Sequence, residues 1–268
     1  MSNDIPTAET FLEPGEPAAF DCLNADSQSN VLLICDHASN RVPYVLDDLG
    51  LDHQARQRHI AWDMGAAHMT RFLAARLGAA AVLANYSRLV MDLNRDPDTD
   101  DAYPAVSDFT VVPANQGLAQ QDRDIRKAAL FDPYHGAIER QLDAIRARGV
   151  SPALVAIHSY TKDLLAGGPD RPWHIGVLYE KDERIANGLI KALSKNPGVT
   201  VGDNKPYSGA HPHDYSIDNH GEAANIACCG IEIRQDLLAT ATSLGEWTAI
   251  LGDALAEALA NPEIYQTL

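Results

Sequence analysis

Basic residues are scarce in this chain of 268 residues: 21 Lys and Arg stand against 37 Asp and Glu, a formal net charge of -16. A field of that sign repels nucleic-acid phosphates and anionic headgroups, so neither nucleic acid nor a membrane surface is expected as a partner. Long apolar runs are also missing. The best of them, residues 31–35 and 79–84, fall far short of the roughly 20 residues a membrane-spanning helix needs. Cysteines number only four, at 22, 35, 228 and 229, with no C-x-x-C spacing. That pattern argues against a zinc ribbon or disulfide framework and for reduced thiols in a core. The N-terminal stretch holds neither basic residues nor an apolar segment of the signal-peptide kind, so a cytoplasmic location is expected. No G-x-G-x-x-G, Walker A or G-x-S-x-G run occurs, which removes the usual nucleotide-binding and serine-hydrolase signatures.

What is present is an alternation of short apolar runs with helical periodicity. Residues 1–30, rich in Pro, Glu, Asp and Ser, read as an extended arm lying against the fold or partly disordered, and 31–268 as one α/β domain. VLLIC at 31–35 is a continuous apolar run, the pattern of a strand buried on both faces of a mainly parallel sheet. Residues 64–77 space Met69, Phe72, Leu73 and Leu77 as one helical stripe, with Gly78 as the stop. AAVLA and SRLVMDL read as two strands joined by a turn at Asn85 and Tyr86, and 96–121 as a surface insertion or active-site loop. Further helices are expected over 134–148, 182–194 and 243–259, and further strands at PALVAIHSY, HIGVLYE, 199–202 and 226–233. The expected fold is a single α/β domain: a mixed, mostly parallel sheet with helices on both faces.

The chemistry collects where these strands end. His37 follows VLLICD, Asn94 and Arg95 follow SRLVMDL, His158 follows ALVAI, and Glu232 and Arg234 end NIACCGIEIR. In open α/β sheets ligands bind beyond the carboxyl ends of the strands, so these groups are expected to converge. Two histidines at separate strand ends suggest a catalytic zinc or another divalent ion, which takes three protein ligands. For the third ligand, Asp63 in AWDMGA offers a carboxylate, whereas Asn40 offers only a neutral amide oxygen. The alternative for each histidine is a hydrogen-bonded loop residue.

Glu232 lies between two isoleucines, so its carboxylate must be paired or held for proton transfer. Arg234, two residues on, shares its side of the strand, and an internal ion pair between them is one outcome. Arg88, Arg95 and Arg234 offer planar forks that suit a substrate bearing carboxylates. His220 in DNHG, and Tyr207, Ser208, His211 and His213 in NKPYSGAHPH, are candidates for an oxyanion donor or a loop closing over the substrate. His135 takes no role at this level.

Taken in order, LLICDHASNRVP, AWDMGA, SRLVMDLNR, IHSYT, GVLYEKD, NKPYSG and IEIRQDL resemble the N-formylglutamate amidohydrolase family, from about Val31 to Leu238. That family is similar in fold to zinc-dependent exopeptidases and to acylases such as aspartoacylase. The resemblance implies a metal-dependent amidohydrolase that cleaves the N-acyl amide of an acidic amino acid, with N-formyl the favoured acyl group. It implies metal ligands at His37 and His158, a general base at Glu232, and substrate contacts at Asn94 and Arg95. One departure stands out: where the exopeptidase pattern reads H-x-x-E, this chain has His37-Ala-Ser-Asn40, which leaves Asp63 or Asn40 as the third ligand. Asn40, Arg88, His220 and Arg234 complete the expected substrate-binding set. The competing readings are a non-catalytic module that binds carboxylate ligands and a metallo-acylase or peptidase for a different amide.

Overall fold

A computed structural model describes residues 7–210 and 214–266. Its strands are β1 (Phe20–Leu23), β2 (Val31–Cys35), β3 (Ala80–Ala84), β4 (Val106–Ser107), β5 (Thr110–Val111), β6 (Ala153–Tyr160), β7 (Ile175–Leu178), β8 (Val201–Asp203) and β9 (Ala227–Arg234). Its α-helices are α1 (His53–Arg56), α2 (Ala66–Leu77), α3 (Gln120–Arg126), α4 (Asp132–Arg146), α5 (Arg184–Leu193), α6 (Tyr215–Ile217) and α7 (Ala241–Leu259).

Seven strands form one sheet in the order β1-β3-β2-β6-β9-β7-β8, and β4 and β5 make a separate hairpin. The pairs β2–β3, β2–β6, β6–β9 and β7–β8 are parallel, while β1–β3 and β7–β9 are antiparallel. Every residue of β2, β3 and β7 is buried, which is why these strands read as unbroken apolar runs. Two cores result, one on each face of the sheet. The first packs Leu32, Ile34, Leu154, Ala156 and Cys228 under α4 and the N-terminal arm. The second packs Leu33, Cys35, Val155, Ile157, Ile231 and Ile233 under α2, α5 and α7. Cys35, Cys228 and Cys229 are buried free thiols and Cys22 is a half-buried one. Among the described residues no helix is long and apolar enough to cross a membrane.

Local signals explain the helix ends. Gly78 closes α2 in the left-handed conformation, φ 58°, and its N–H bonds the carbonyls of Ala74 and Ala75. At the other end Gly65 sits at φ 84°, and a Cβ there would meet Leu238 Cβ at 2.5 Å, so glycine lets α2 start hard against the turn that follows β9. Thr240 and Ser243 cap α7 reciprocally.

Three expectations need correction. SRLVMDL is not a strand: residues 87–93 run as irregular turns, although all but Arg88 are buried. Their backbone groups are satisfied by loops, Ser87 N–H by the Arg41 carbonyl and Asp92 N–H by that of Ala102, so burial is achieved without a ladder. The N-terminal arm supplies an edge strand, β1, and ties down the supposed turn: Asn85 N–H donates to Ala19 O and the Tyr86 hydroxyl to Pro17 O. Phe72 is 57% exposed, because the face of α2 on the sheet runs through Ala66, Met69, Thr70, Leu73 and Ala74.

Candidate active site

Side chains alternate along a strand, and this alternation builds the site. On β2, β6 and β9 the even-numbered residues Leu32, Ile34, Leu154, Ala156 and Cys228 face the first core. Continuing the same row toward the carboxyl ends gives Asp36, His158 and Glu232. His158 and Glu232 are register partners in the parallel ladder, and Asp36 lies one residue past β2. Three neighbouring parallel strands thus deliver an acid, an imidazole and a second acid to one edge of the sheet.

His37 comes from the turn after β2, and Asp63 from the turn before α2. The two are latched by the Asp63 N–H, which donates to the His37 carbonyl at 3.0 Å. Both imidazoles turn Nδ1 toward one carboxylate oxygen: Asp63 Oδ2 lies 2.9 Å from His158 Nδ1 and 3.4 Å from His37 Nδ1. The Ser159 N–H also reaches that oxygen, at 3.3 Å. Each imidazole is backed through Nε2 by another buried aspartate, His37 by Asp92 Oδ1 at 2.8 Å and His158 by Asp36 Oδ2 at 3.3 Å. Asp36 Oδ1 accepts from the Tyr134 and Ser216 hydroxyls at 2.9 and 2.6 Å, and Asp92 Oδ2 accepts from Arg88 Nε and Nη2 at 3.0 and 2.5 Å.

This arrangement matches a divalent-cation site. The ligand atoms of His37, Asp63 and His158 lie within 4.8 Å of one another, and the aspartate behind each ring is the partner that orients a metal-binding histidine. The electrostatics agree. Burial and Arg88 both work against charge on His37, yet Asp92 and Asp63 outweigh them and raise its pKa. Burial likewise opposes charge on His158, and Asp36 and Asp63 reverse that strongly. Burial would raise the Asp63 carboxyl, but His37 and His158 hold it well below the usual carboxylate range. Three buried carboxylates therefore make a field that favours positive charge between the rings, and a dication satisfies that demand as two protons would.

Glu232 stands apart from this network. The residue is 8% exposed, and its buried Oε2 has no hydrogen-bond partner among the described residues. Burial pushes its pKa up to about 7, against the pull of His158. A carboxyl so placed can change protonation state near neutrality, which general-base chemistry requires. It opens on a cavity of about 460 Å3 that His37, Asp63, His158, Arg88, Asn94 and Arg95 also line. Ser159, Leu178, Tyr207, Ser208 and Asp214 complete the wall.

The remaining expected residues lie elsewhere. Asn40 donates from its amide to the Arg56 carbonyl at 3.0 Å and lines a separate small depression with Ser39, Arg41 and Trp62. Arg234 does not pair with Glu232. The chain turns out of β9 at this residue into the short turn Gln235–Leu238, and its guanidinium meets Asp236 at 2.7 Å. His220 is buried behind the cavity, where Nε2 bonds His135 Nδ1 at 2.8 Å and the two rings stack. Ser208 is on the wall, and His211 and His213 fall outside the described residues. Reading strand ends for histidines overlooked Asp36 and Asp92. Both are carboxylates at or inside apolar runs, the feature that singled out Glu232, so the same signal would have found them.

Known proteins share this frame. The model of the family described as N-formylglutamate amidohydrolase matches residues 29–239. Over 81 residues the chain is 37% identical to the N-formylglutamate deformylase of Pseudomonas putida, a stretch covering 26% of this chain and 30% of that protein. A gene product of Agrobacterium tumefaciens with a solved crystal structure superposes with a TM-score of 0.89 at 31% identity, covering 94% of this chain and 99% of that one. The N-formylglutamate amidohydrolase of Ralstonia eutropha JMP134 superposes at 0.66 with 17% identity, covering 91% of this chain and 98% of that one, a likeness of fold. With the match spanning most of its length and the whole of the site, the chain belongs to the N-formylglutamate amidohydrolase family.

Proposed function

We propose that this protein hydrolyses the N-formyl amide of an acidic amino acid such as N-formylglutamate, releasing formate and the free amino acid. The observation that carries the reading is the meeting of both Nδ1 atoms at Asp63 Oδ2, with the unpaired carboxyl of Glu232 on the same cavity wall. His37, Asp63 and His158 would hold a divalent ion, and two imidazoles with one carboxylate suit zinc. When bound, that ion supplies Lewis acidity, polarising the acyl oxygen and acidifying water. Asp92, hydrogen-bonded to His37 Nε2, holds that imidazole in the tautomer that leaves Nδ1 available, and the Asp36 carboxylate, 3.3 Å from His158 Nε2, favours the same tautomer by its charge.

Glu232 accepts a proton from the attacking water as its oxygen bonds to the formyl carbon. It then delivers that proton to the nitrogen as the C–N bond breaks. The raised pKa of Glu232 suits both halves of this task, since it neither holds the proton too weakly nor keeps it. Arg95 lines the cavity as a guanidinium fork for a substrate carboxylate, and Arg88, held by Asp92, adds positive charge on the same wall for the charge that develops on the acyl oxygen. Asn94 is fixed by accepting the Ser216 N–H at 2.9 Å, so this wall is preformed.

The test pairs elemental analysis of the purified protein with N-formylglutamate hydrolysis before and after chelation. One ion per chain and turnover lost on chelation and restored by zinc are the expected results. Turnover that survives complete metal removal would overturn the reading.

A further inference from the structure

We infer that Arg171 is a specificity-determining residue: at the cavity mouth, braced against Tyr207, it receives the side-chain carboxylate of the substrate. The inference rests on the proposed reading of the cavity as the substrate site and names the group that selects for an acidic substrate.

The argument begins with which cations are already committed. Of the guanidiniums near the cavity, Arg88 gives two nitrogens to Asp92 and has a third 3.7 Å from Asp63, and Arg95, on the cavity wall itself, is engaged through Nη1 by the Asn94 carbonyl at 2.8 Å. Arg234 is bound by Asp236. Arg171 differs. Its Nη1 donates to the Thr161 carbonyl and to the Tyr207 hydroxyl oxygen, both at 3.1 Å, and no carboxylate pairs with it among the described residues. Its guanidinium carbon lies 5.1 Å from the centroid of the Tyr207 ring. Tyr207 is itself part of the cavity wall, so Arg171 is one side chain removed from the reacting groups. In a protein with a net charge of -16, a cation held against a side chain of the pocket wall, with no acidic partner among the described residues, is an unused anion site. The fork is braced by two neutral acceptors and an aromatic face, which fix its plane and leave its charge uncompensated for a ligand carboxylate.

The loop that carries Arg171 is also fixed at a distance. Between β6 and β7 it is closed at its base by the Tyr160 hydroxyl, which donates to the Trp173 carbonyl. At its tip Asp108, on the β4–β5 hairpin, accepts the N–H groups of Leu165 at 3.2 Å and Ala166 at 3.0 Å while pairing with Arg58 at 2.8 Å. Asp108 touches no part of the cavity wall. It is a positioning residue that holds the loop, and with it the fork of Arg171.

The experiment compares the wild type with Arg171→Ala, Arg171→Lys and Asp108→Ala in two assays. The first is the ratio of kcat/KM for N-formylglutamate to that for its neutral isostere N-formylglutamine. The second is calorimetric binding of glutarate, a dicarboxylate with no amide to cleave. Arg171→Ala is expected to lower both the ratio and glutarate affinity by about ten- to hundredfold, the range of a hydrogen bond to a charged group, with the loss in KM more than in kcat. Arg171→Lys recovers part of that loss, and Asp108→Ala shows a smaller loss of the same sign. A wild type that discriminates while Arg171→Ala keeps the same ratio and the same glutarate affinity overturns the inference and leaves the proposed hydrolysis standing. A wild type that binds glutarate through Arg171 but does not turn over either amide supports the inference and overturns the hydrolysis.

Discussion

His158 and Glu232 face each other across the parallel ladder of β6 and β9, so the base proposed for water activation is fixed by sheet register to a proposed metal ligand. Neither side chain depends on a loop for its position. Glu232→Gln is nearly isosteric and removes only the ability to take a proton. It should lower kcat by about 10²- to 10⁴-fold, the usual worth of a general base, with substrate and metal affinity little changed. A Gln variant retaining wild-type kcat in steady-state assays would remove Glu232 from the chemistry.

The aspartates behind the imidazoles act through affinity. Asp92→Asn keeps the shape beside His37 Nε2 but withdraws the charge that orients the ring, and Asp36→Asn does the same behind His158. Each should weaken zinc binding by about 10- to 100-fold, as loss of a carboxylate behind a metal-bound histidine does. Competition against a chromogenic chelator measures this directly. Unchanged affinity in both variants would mean that the aspartates only fill space and balance charge.

Much of this was legible in the chain because burial leaves a mark on composition. Strands β2, β3 and β7 are apolar throughout and β6 and β9 are so until their carboxyl ends, so they declared themselves, and a glutamate between Ile231 and Ile233 could not be there without a task. SRLVMDL misled for the same reason. Its residues are as buried as a strand's, yet nothing in periodicity says whether their backbone groups are met by a ladder or by the Arg41 and Ala102 carbonyls. Arg171 was invisible for the opposite reason. It sits in an exposed Gly/Pro-containing loop whose composition suggests nothing, and only the absence of a carboxylate partner in three dimensions sets it apart. Arg234 shows how the two-residue rule of strands ends with the strand, since its partner Asp236 lies beyond the turn out of β9.

The stacked pair His135 and His220 governs stability at mildly acidic pH. His135 Nε2 donates to the Leu93 carbonyl and Nδ1 accepts from His220, an arrangement that needs a neutral His135 ring. Burial, with His220 beside it, lowers its pKa from 6.5 to about 4. The unfolded chain therefore binds this proton first, and the stabilisation is complete above pH 6.5 and lost as the pH falls toward 4. The full displacement corresponds to about 3 kcal/mol. His37 and His158, whose pKa values are raised, are protonated in both states only below about pH 5.5, and above that they add a slope of the opposite sign that the wild type and a His135 variant share. Glu232, whose raised pKa adds stability as the pH falls over the same range, opposes this slope, so the measure is the difference in urea unfolding free energy between the metal-free wild type and His135→Asn, which should shrink as the pH falls from 7 to 4. An equal slope in the variant would place the effect elsewhere.

Gly209 connects the Tyr207 loop to the sheet, and its substitution tests whether the cavity wall is rigid. The Asn204 side-chain oxygen accepts the N–H groups of both Tyr179 and Gly209 at 3.0 Å, drawing the loop against the end of β7. The approach is so close that a Cβ on residue 209 would lie 2.4 Å from the Tyr179 nitrogen and 2.5 Å from its carbonyl oxygen. Backbone cannot yield as a side-chain tip can, so Gly209→Ala must push the loop outward, at a cost of about 1–3 kcal/mol for an overpacked site. Tyr207, two residues earlier, moves with it and takes its brace from Arg171. The expected outcome is a lower Tm together with a KM for N-formylglutamate that rises more than kcat falls. A variant that melts lower but keeps its KM would show that the loop can shift without disturbing the mouth of the cavity, and that Tyr207 finds Arg171 from more than one position.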